Sequence, residues 1–339
     1  MFRLPFAEVQ AALEGVLVKL GMAAERATLC ARLFCETTED GVYTHGLNRF
    51  PRLVKTIRNG CVDVTARPGR EAGFGGLERW NGNRGVGNVN AWESMERAIA
   101  LSREHGIGCV ALAHTNHWMR GGTYAWQAAN GGAVGLCWTN TMVNLPPWGG
   151  LKAAVGNNPM AIGVPRKAGH VVLDIAMSQF SYGAIEAYRK RNEPLPVAGG
   201  FDEEGNLTQD AAAIERTLRL LPMGYWKGSG LSVLLDMTAA MLSLGTATWQ
   251  IPQDSLREAD LSQIFIAIHP AALGPVERCE AIANEIVDAV HACPPVKEGQ
   301  RVRYPGEQTL KVRAENQKLG IPVEEATWAE ILAVQGMVP

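Results

Sequence analysis

Along the first sixty residues the hydrophobic positions recur at helical spacing. In FAEVQAALEGVLVKLG, Val9, Leu13, Val16, Leu17 and Leu20 fall on one face, and Gly21 supplies a stop. A second helix is predicted from about Ala23 to Thr38, with Leu29, Leu33 and Phe34 on one side. It ends just before EDGVYTHG, which places His45 on or just beyond a helix-to-loop transition. RFPRLVKTIRNG reads as a third helix closing at Gly60.

From about Gly73 the texture changes. SMERAIALSREHGIG is a helix with a glycine cap, and CVALAHTNH is a strand running into a loop. AVGLCWTN, PMAIGVP, HVVLDIA and QIFIAIH are further short apolar runs bounded by turn residues. Strands and helices are thus mixed, without the strict alternation of a doubly wound sheet. Residues 184–224 are polar and turn-rich, an excursion with a short helix of its own. GSGLSVLLDMTAAMLSLG is so apolar that it is expected to be buried on most sides. From about residue 275 the chain returns to amphipathic helices, VERCEAIANEIVDAVHAC being the clearest.

These patterns give an α/β chain in three parts. A mainly helical part, 1–72 with 275–339, carries His45; a mixed-sheet part covers 73–183 with 225–274; a small insertion covers 184–224. No internal repeat or low-complexity segment interrupts them.

Composition removes several classes of function. A net charge of −2 supplies no basic field for nucleic acid or a membrane surface. The longest apolar runs are too short to span a bilayer, and MFRLPFAEVQ lacks the order of a signal peptide. Seven scattered cysteines with no C-x-x-C pair suit reduced thiols in a cytoplasmic protein.

Candidate chemistry starts from what fails. GNRGVGNVNA and GIG offer glycines, but neither places G-x-G-x-x-G between a strand and a helix, so both read as turns or caps. WKGSG lacks the spacing of a P-loop, although a glycine-rich helix start can still meet an anion. HTNHWMRGG brings His114, Asn116, His117 and Arg120 to a strand end. A metal would need His114 and His117, perhaps with Cys109, but no acidic third ligand is near and no metal is expected.

YTHGLNRF is sharper. Gly46 leaves room for a ligand, Arg49 has the planar fork that grips a carboxylate, and an imidazole delivers a proton near neutral pH. A bland reading competes: Arg49 pairs with Glu39 or Asp40, and His45 caps the preceding helix. The residues alone leave both open.

Several stretches together resemble the malate/L-lactate dehydrogenase family, whose members lack a Rossmann fold. They are TTEDGVYTHGLNRFPR, HGIGCVALAHTNHWMRGGTYAWQAA, CWTNT…PPWGG, GNNPMAIGVP, LPMGYWKGSGLSVLLDM and SQIFIAI, in order from the first helix to about residue 330. The tryptophan-rich forms NHWMRGG, PPWGG and GYWKGSG point to the branch acting on a diketo sugar acid. The resemblance implies a largely antiparallel mixed sheet that binds NADH or NADPH, and a homodimer. It implies reduction of a small 2-oxo acid, with 2,3-diketo-L-gulonate the expected substrate. His45 would be the catalytic acid, Arg49 would hold the carboxylate, and His117 and Thr44 would line the substrate pocket. Cofactor contacts would come from His170, Val171, Val172, Leu173, Asp174, Ile175 and Ala176, and from Tyr225 and Trp226. Pro305, Gly306 and Glu307 would add to them, Glu307 through backbone, ribose or adenine because its charge is unfavourable beside phosphate. Other 2-oxo acids, cyclic imino acids and a catalytically silent ligand-binding dimer stand as alternatives.

Overall fold

The computed structural model describes residues 2–337. A short strand β1 (Phe2–Leu4) leads into helices α1 (Phe6–Lys19), α2 (Ala24–Glu39) and α3 (Phe50–Arg58). Strands β2 (Gly69–Phe74) and β3 (Leu77–Asn81), helix α4 (Gly87–His105), strand β4 (Ile107–Thr115) and helix α5 (Gly121–Asn130) follow. Then come β5 (Val134–Thr139), β6 (Met160–Val164) and β7 (Val171–Ile175). The insertion holds α6 (Tyr182–Arg191), a hairpin of β8 (Gly200–Phe201) and β9 (Leu207–Thr208), and α7 (Ala211–Thr217). It therefore has two helices and a hairpin where one short helix was expected. Helix α8 (Trp226–Ser243), strand β10 (Leu261–Ile268), helices α9 (Val276–Ala292) and α10 (Glu307–Leu319), strand β11 (Ile321–Val323) and helix α11 (Glu325–Met337) complete the chain.

Seven strands form one sheet in the order β2-β3-β4-β10-β5-β6-β7. Every neighbouring pair is antiparallel except β3 and β4, which α4 joins as a parallel crossover. This is the expected mixed, largely antiparallel sheet. Helices α4 and α5 cover one face: Met95, Ala98, Leu101, Tyr124 and Ala128 pack with Val110, Leu112, Cys137 and Phe265. Gly163 allows that closeness, since a Cβ there would stand 2.3 Å from the Ala125 carbonyl oxygen.

A second core gathers Val9, Leu13, Leu17, Phe34, Phe50 and Val54 with Ile321, Val323 and Ile331. The β1–β11 pairing ties the two ends of the chain together there. Each such fully buried side chain contributes roughly 1.5–3 kcal/mol, so this core is a firm base for the loop after α2.

Helix α8 departs from expectation. Its Ser232, Leu235, Ala239 and Ser243 are buried, with Ala239 against Ala111 and Ile264 of the sheet. Leu234, Met237 and Met241, spaced to share the other face, are 59%, 50% and 67% exposed. The helix is apolar all round, so periodicity could not tell a buried face from an uncovered one. Among the described residues no helix is long and apolar enough to cross a membrane.

Candidate active site

Helix α2 ends at Asp40, and the chain then makes two short 3-10 turns, Tyr43–His45 and Leu47–Arg49, before α3 begins. Thr38 staples this loop to the helix by accepting from the Leu47 amide at 2.9 Å. Gly46 lies so close that a Cβ would come within 2.1 Å of the Thr38 Oγ1. The glycine beside His45 is thus required by backbone packing against α2, in addition to any room it leaves a ligand.

Four residues singled out from the sequence, Thr44, His45, Arg49 and His117, line one cleft of about 770 Å³. The imidazoles of His45 and His117 stack with centroids 5.9 Å apart and planes 20° apart. His45 Nδ1 lies 3.0 Å from the Thr44 hydroxyl. Burial and the Arg49 and Arg120 charges push the His45 pKa down to about 4. His117 Nδ1 accepts from the Met119 amide at 3.0 Å, so this neutral ring carries its proton on Nε2. Burial likewise holds His117 far below the ordinary histidine range.

The bland reading of this loop fails. Arg49 does not pair with Glu39 or Asp40; its guanidinium lies 3.7 Å from Glu258, which Arg52 approaches at 3.4 Å. Asp40 is instead taken by Arg120 and Arg313. The cap of α2 is Asp40, not His45. Two guanidiniums against one buried carboxylate leave an excess of one positive charge in this cluster at one end of the cleft. Burial pushes the Glu258 carboxyl up, and Arg49 and Arg52 oppose that.

Sequence reading missed Arg52 and Glu258. Arg52 follows Arg49 at the i+3 spacing of a helix face, a signal that was there to use. Glu258 sits in READL, which looks like a solvated charge run, and only the fold brings it to the arginines.

The three stretches associated with a cofactor lie along one edge. Strand β7 ends the sheet. The Val172 amide donates to the Pro305 carbonyl at 2.9 Å, holding Pro305–Glu307 beside the start of the strand. Just past its end, Met177 donates to Asn157 of the cleft at 2.8 Å, and Met223 donates back to Met177 at 2.8 Å. That second bond hangs the turn bearing Tyr225 and Trp226 on the end of β7. Val171, Val172, Leu173 and Ile175 form the strand itself, with His170 and Ala176 at its two ends. Since Val172 N–H points outward, the period of two puts the Asp174 N–H on the same open edge. The Asp174 carboxylate turns the other way, accepting from Gly122 N at 2.9 Å with Arg120 Nε at 3.7 Å.

These residues suit a dinucleotide. Gly306, at φ 91°, is the N-cap of α10, and the positive end of a helix favours an anion. Glu307 is already paired with Arg301 at 3.1 Å and hydrogen-bonded to His291 at 2.9 Å, which answers the objection to its charge. Tyr225 and Trp226 expose their rings, Tyr225 meeting Trp148 edge-on at 5.3 Å. His114 pairs with Asp260 at 3.5 Å. Among the described residues no group of three His, Cys, Asp or Glu is placed to hold a metal ion.

The chain is similar to known proteins along nearly its whole length. The profile of the malate/L-lactate dehydrogenase family matches residues 4–332. A 2,3-diketo-L-gulonate reductase of Escherichia coli K12 is 44% identical over 334 residues, 98% of this chain and all of that one. A malate dehydrogenase from Pyrococcus horikoshii superposes with a TM-score of 0.90 at 26% identity, covering 99% of this chain and 95% of its own. Sulfolactate dehydrogenase from Methanocaldococcus jannaschii gives 0.93 at 24% identity, over 99% and 97%, a likeness of fold. The chain belongs to the malate/L-lactate dehydrogenase family of oxidoreductases.

Proposed function

We propose that this chain is a nicotinamide-dependent reductase converting 2,3-diketo-L-gulonate to 3-dehydro-L-gulonate. The observation that carries the reading is the cleft itself. It sets a +1 cluster of Arg49, Arg52 and Glu258 beside two stacked neutral imidazoles, at the end of an open sheet edge. A monoanionic 2-oxo acid completes that charge, with the Arg49 fork taking its carboxylate. The full-length likeness to a reductase of that diketo acid supports the choice of substrate.

The nicotinamide, when bound, supplies the hydride for C2. His117 donates from Nε2 to the carbonyl oxygen and orients it. His45 supplies the proton. In the free protein its low pKa keeps it neutral, and a substrate carboxylate on Arg49 cancels one of the charges responsible, raising its proton affinity where it is needed. The Thr44 hydroxyl steadies the ring in both states, donating to Nδ1 or accepting from it.

Cofactor contacts follow β7 from Pro305–Glu307 to Tyr225 and Trp226, in the mixed-sheet part, with the substrate toward the helical part. NADH is the preferred donor in this reading. Arg166 and His170, near the start of β7, are engaged with Asn284 at 2.7 Å and Asn130 at 2.9 Å, and burial lowers the His170 pKa, so neither offers a free cation to a phosphate. The functional unit is a homodimer, supported by the uncovered apolar face of α8.

The test is loss of NADH absorbance with 2,3-diketo-L-gulonate beside pyruvate, oxaloacetate and a cyclic imino acid. Fast oxidation with the diketo acid is the expected result. Preference for another acid overturns the substrate, and silence with all four overturns the enzyme.

A further inference from the structure

His45, Arg49, Arg52 and His117 deal with a carboxylate and a reacting carbonyl. The same cleft holds a second group, Asn144, Asn157, Tyr182 and Glu186, that this chemistry does not use. Asn144 lies on the loop between β5 and β6. Its Nδ2 donates to Asn157 Oδ1 at 3.0 Å, and the Thr141 hydroxyl donates to the same oxygen at 3.1 Å. Flipping the Asn144 amide alone would set two acceptor oxygens together, so its Nδ2 stays on that network. It leaves Asn144 Oδ1 buried with no hydrogen-bond partner. An orphaned buried acceptor is costly, and a ligand O–H is the group that satisfies it.

Tyr182 donates its hydroxyl proton to the Asn144 carbonyl at 3.1 Å, so its oxygen is left to accept. Burial pushes its pKa up to about 12, so the phenol keeps that proton. Glu186 follows Tyr182 on the same face of α6 at i+4 and adds a carboxylate, one oxygen of which Lys190 takes at 2.7 Å and the other of which is left to accept. These are acceptors, whereas Arg49, Arg52 and His117 are donors. A ketone or carboxylate cannot satisfy the first set; a hydroxylated carbon chain can. The offset between the two sets is fixed, because Gly183 seats α6 on Thr44, a Cβ there falling 3.1 Å from Thr44 Cγ2.

We infer that Asn144, with Tyr182 and Glu186, binds the hydroxyl-bearing tail of the substrate and makes the cleft select a polyhydroxylated 2-oxo acid over a short one. The inference rests on the reductase reading above. It also gives the 184–224 insertion a role, since its first helix carries part of the tail subsite.

The experiment is steady-state kinetics of wild type, Asn144→Ala and Tyr182→Phe with 2,3-diketo-L-gulonate and with pyruvate. Pyruvate serves as substrate or, if turned over slowly, as competitive inhibitor. Each variant is expected to lose about tenfold in kcat/KM for the diketo acid, the loss of one hydrogen bond. Pyruvate constants and the KM for NADH should move less than about twofold against that tenfold. Equal losses on both acids, no loss on either, or a raised KM for NADH overturns the subsite. Wild type reducing pyruvate but not the diketo acid leaves the chemistry standing and sinks the subsite alone. Wild type reducing neither, nor oxaloacetate nor a cyclic imino acid, sinks the reductase reading as well.

Discussion

The rings of His45 and His117 lie nearly parallel, 5.9 Å between centroids, and both are held neutral beside Arg49. In the proposed reaction reduction needs the protonated form of His45, so its pH dependence is set against its own environment. With a free-protein pKa of about 4, kcat/KM for reduction falls as pH rises through neutrality, approaching about tenfold per unit. The bend in kcat lies at higher pH, because the bound carboxylate offsets Arg49. Oxidation of the hydroxy acid uses the neutral ring and stays flat there. His45→Ala keeps its NADH affinity and loses ~10²–10⁴-fold in turnover. A reduction profile flat across neutral pH, or an active His45→Ala, removes His45 from the role.

The same two rings make the fold acid-sensitive. Their folded pKa lies below the ordinary 6.5, so in the window beneath it the unfolded chain binds protons that the folded protein refuses. Stability is full above that value and is lost as pH falls toward about 4. Urea midpoints at neutral and mildly acid pH measure it. In His117→Asn the acid loss should shrink; an unchanged loss assigns it elsewhere.

Glu258, only 7% exposed, holds two arginines in the cleft wall. Removing it leaves their charges uncompensated, so Glu258→Ala should destabilise by about 3 kcal/mol. The variant should also raise KM for the acid more than it lowers kcat, since the Arg49 fork loses its anchor. Unchanged thermal stability would show that solvent compensates the pair unaided.

Tyr225 sits at φ 62° and ψ −116°, a conformation natural to glycine and worth ~1–3 kcal/mol of strain in other residues. A tyrosine kept there is kept for its ring. Tyr225→Gly should hold or raise stability while weakening NADH binding in a fluorescence titration. Weaker folding with unchanged NADH affinity would make the ring structural.

The uncovered face of α8 predicts self-association. Wild type should sediment as a dimer, and Met241→Glu, placing a charge on a side chain 67% exposed in one chain, should shift it to monomer. A wild-type monomer, or a dimer indifferent to that charge, moves the interface elsewhere.

Much of this was legible in the residues. The helices of the first sixty positions, and the strands from CVALAHTNH to QIFIAIH, follow from periodicity and turn residues. The β2–β3 hairpin did not, because Arg70–Phe74 are exposed and carry no hydrophobic face to betray a strand. The cluster of His45, Arg49 and His117 could be suspected, but Glu258 is more than two hundred residues away from Arg49 and reaches it only through the strand order. The uncovered side of α8 was hidden for another reason: apolar residues all round a helix look the same whether a sheet or a second chain covers them.

Strand β10 lies between β4 and β5 and pairs with both, yet it is made about 120 residues after β5 ends. On the ribosome the halves of the sheet must wait for their middle, each with a bare hydrogen-bonding edge where Val110 and Cys137 will later flank Phe265. The proposed cofactor site, hung on the far edge at β7, is therefore complete only when nearly the whole chain has emerged. A nascent chain halted before Leu261 is a molecule with two open seams, which marks it for chaperone capture rather than for partial function.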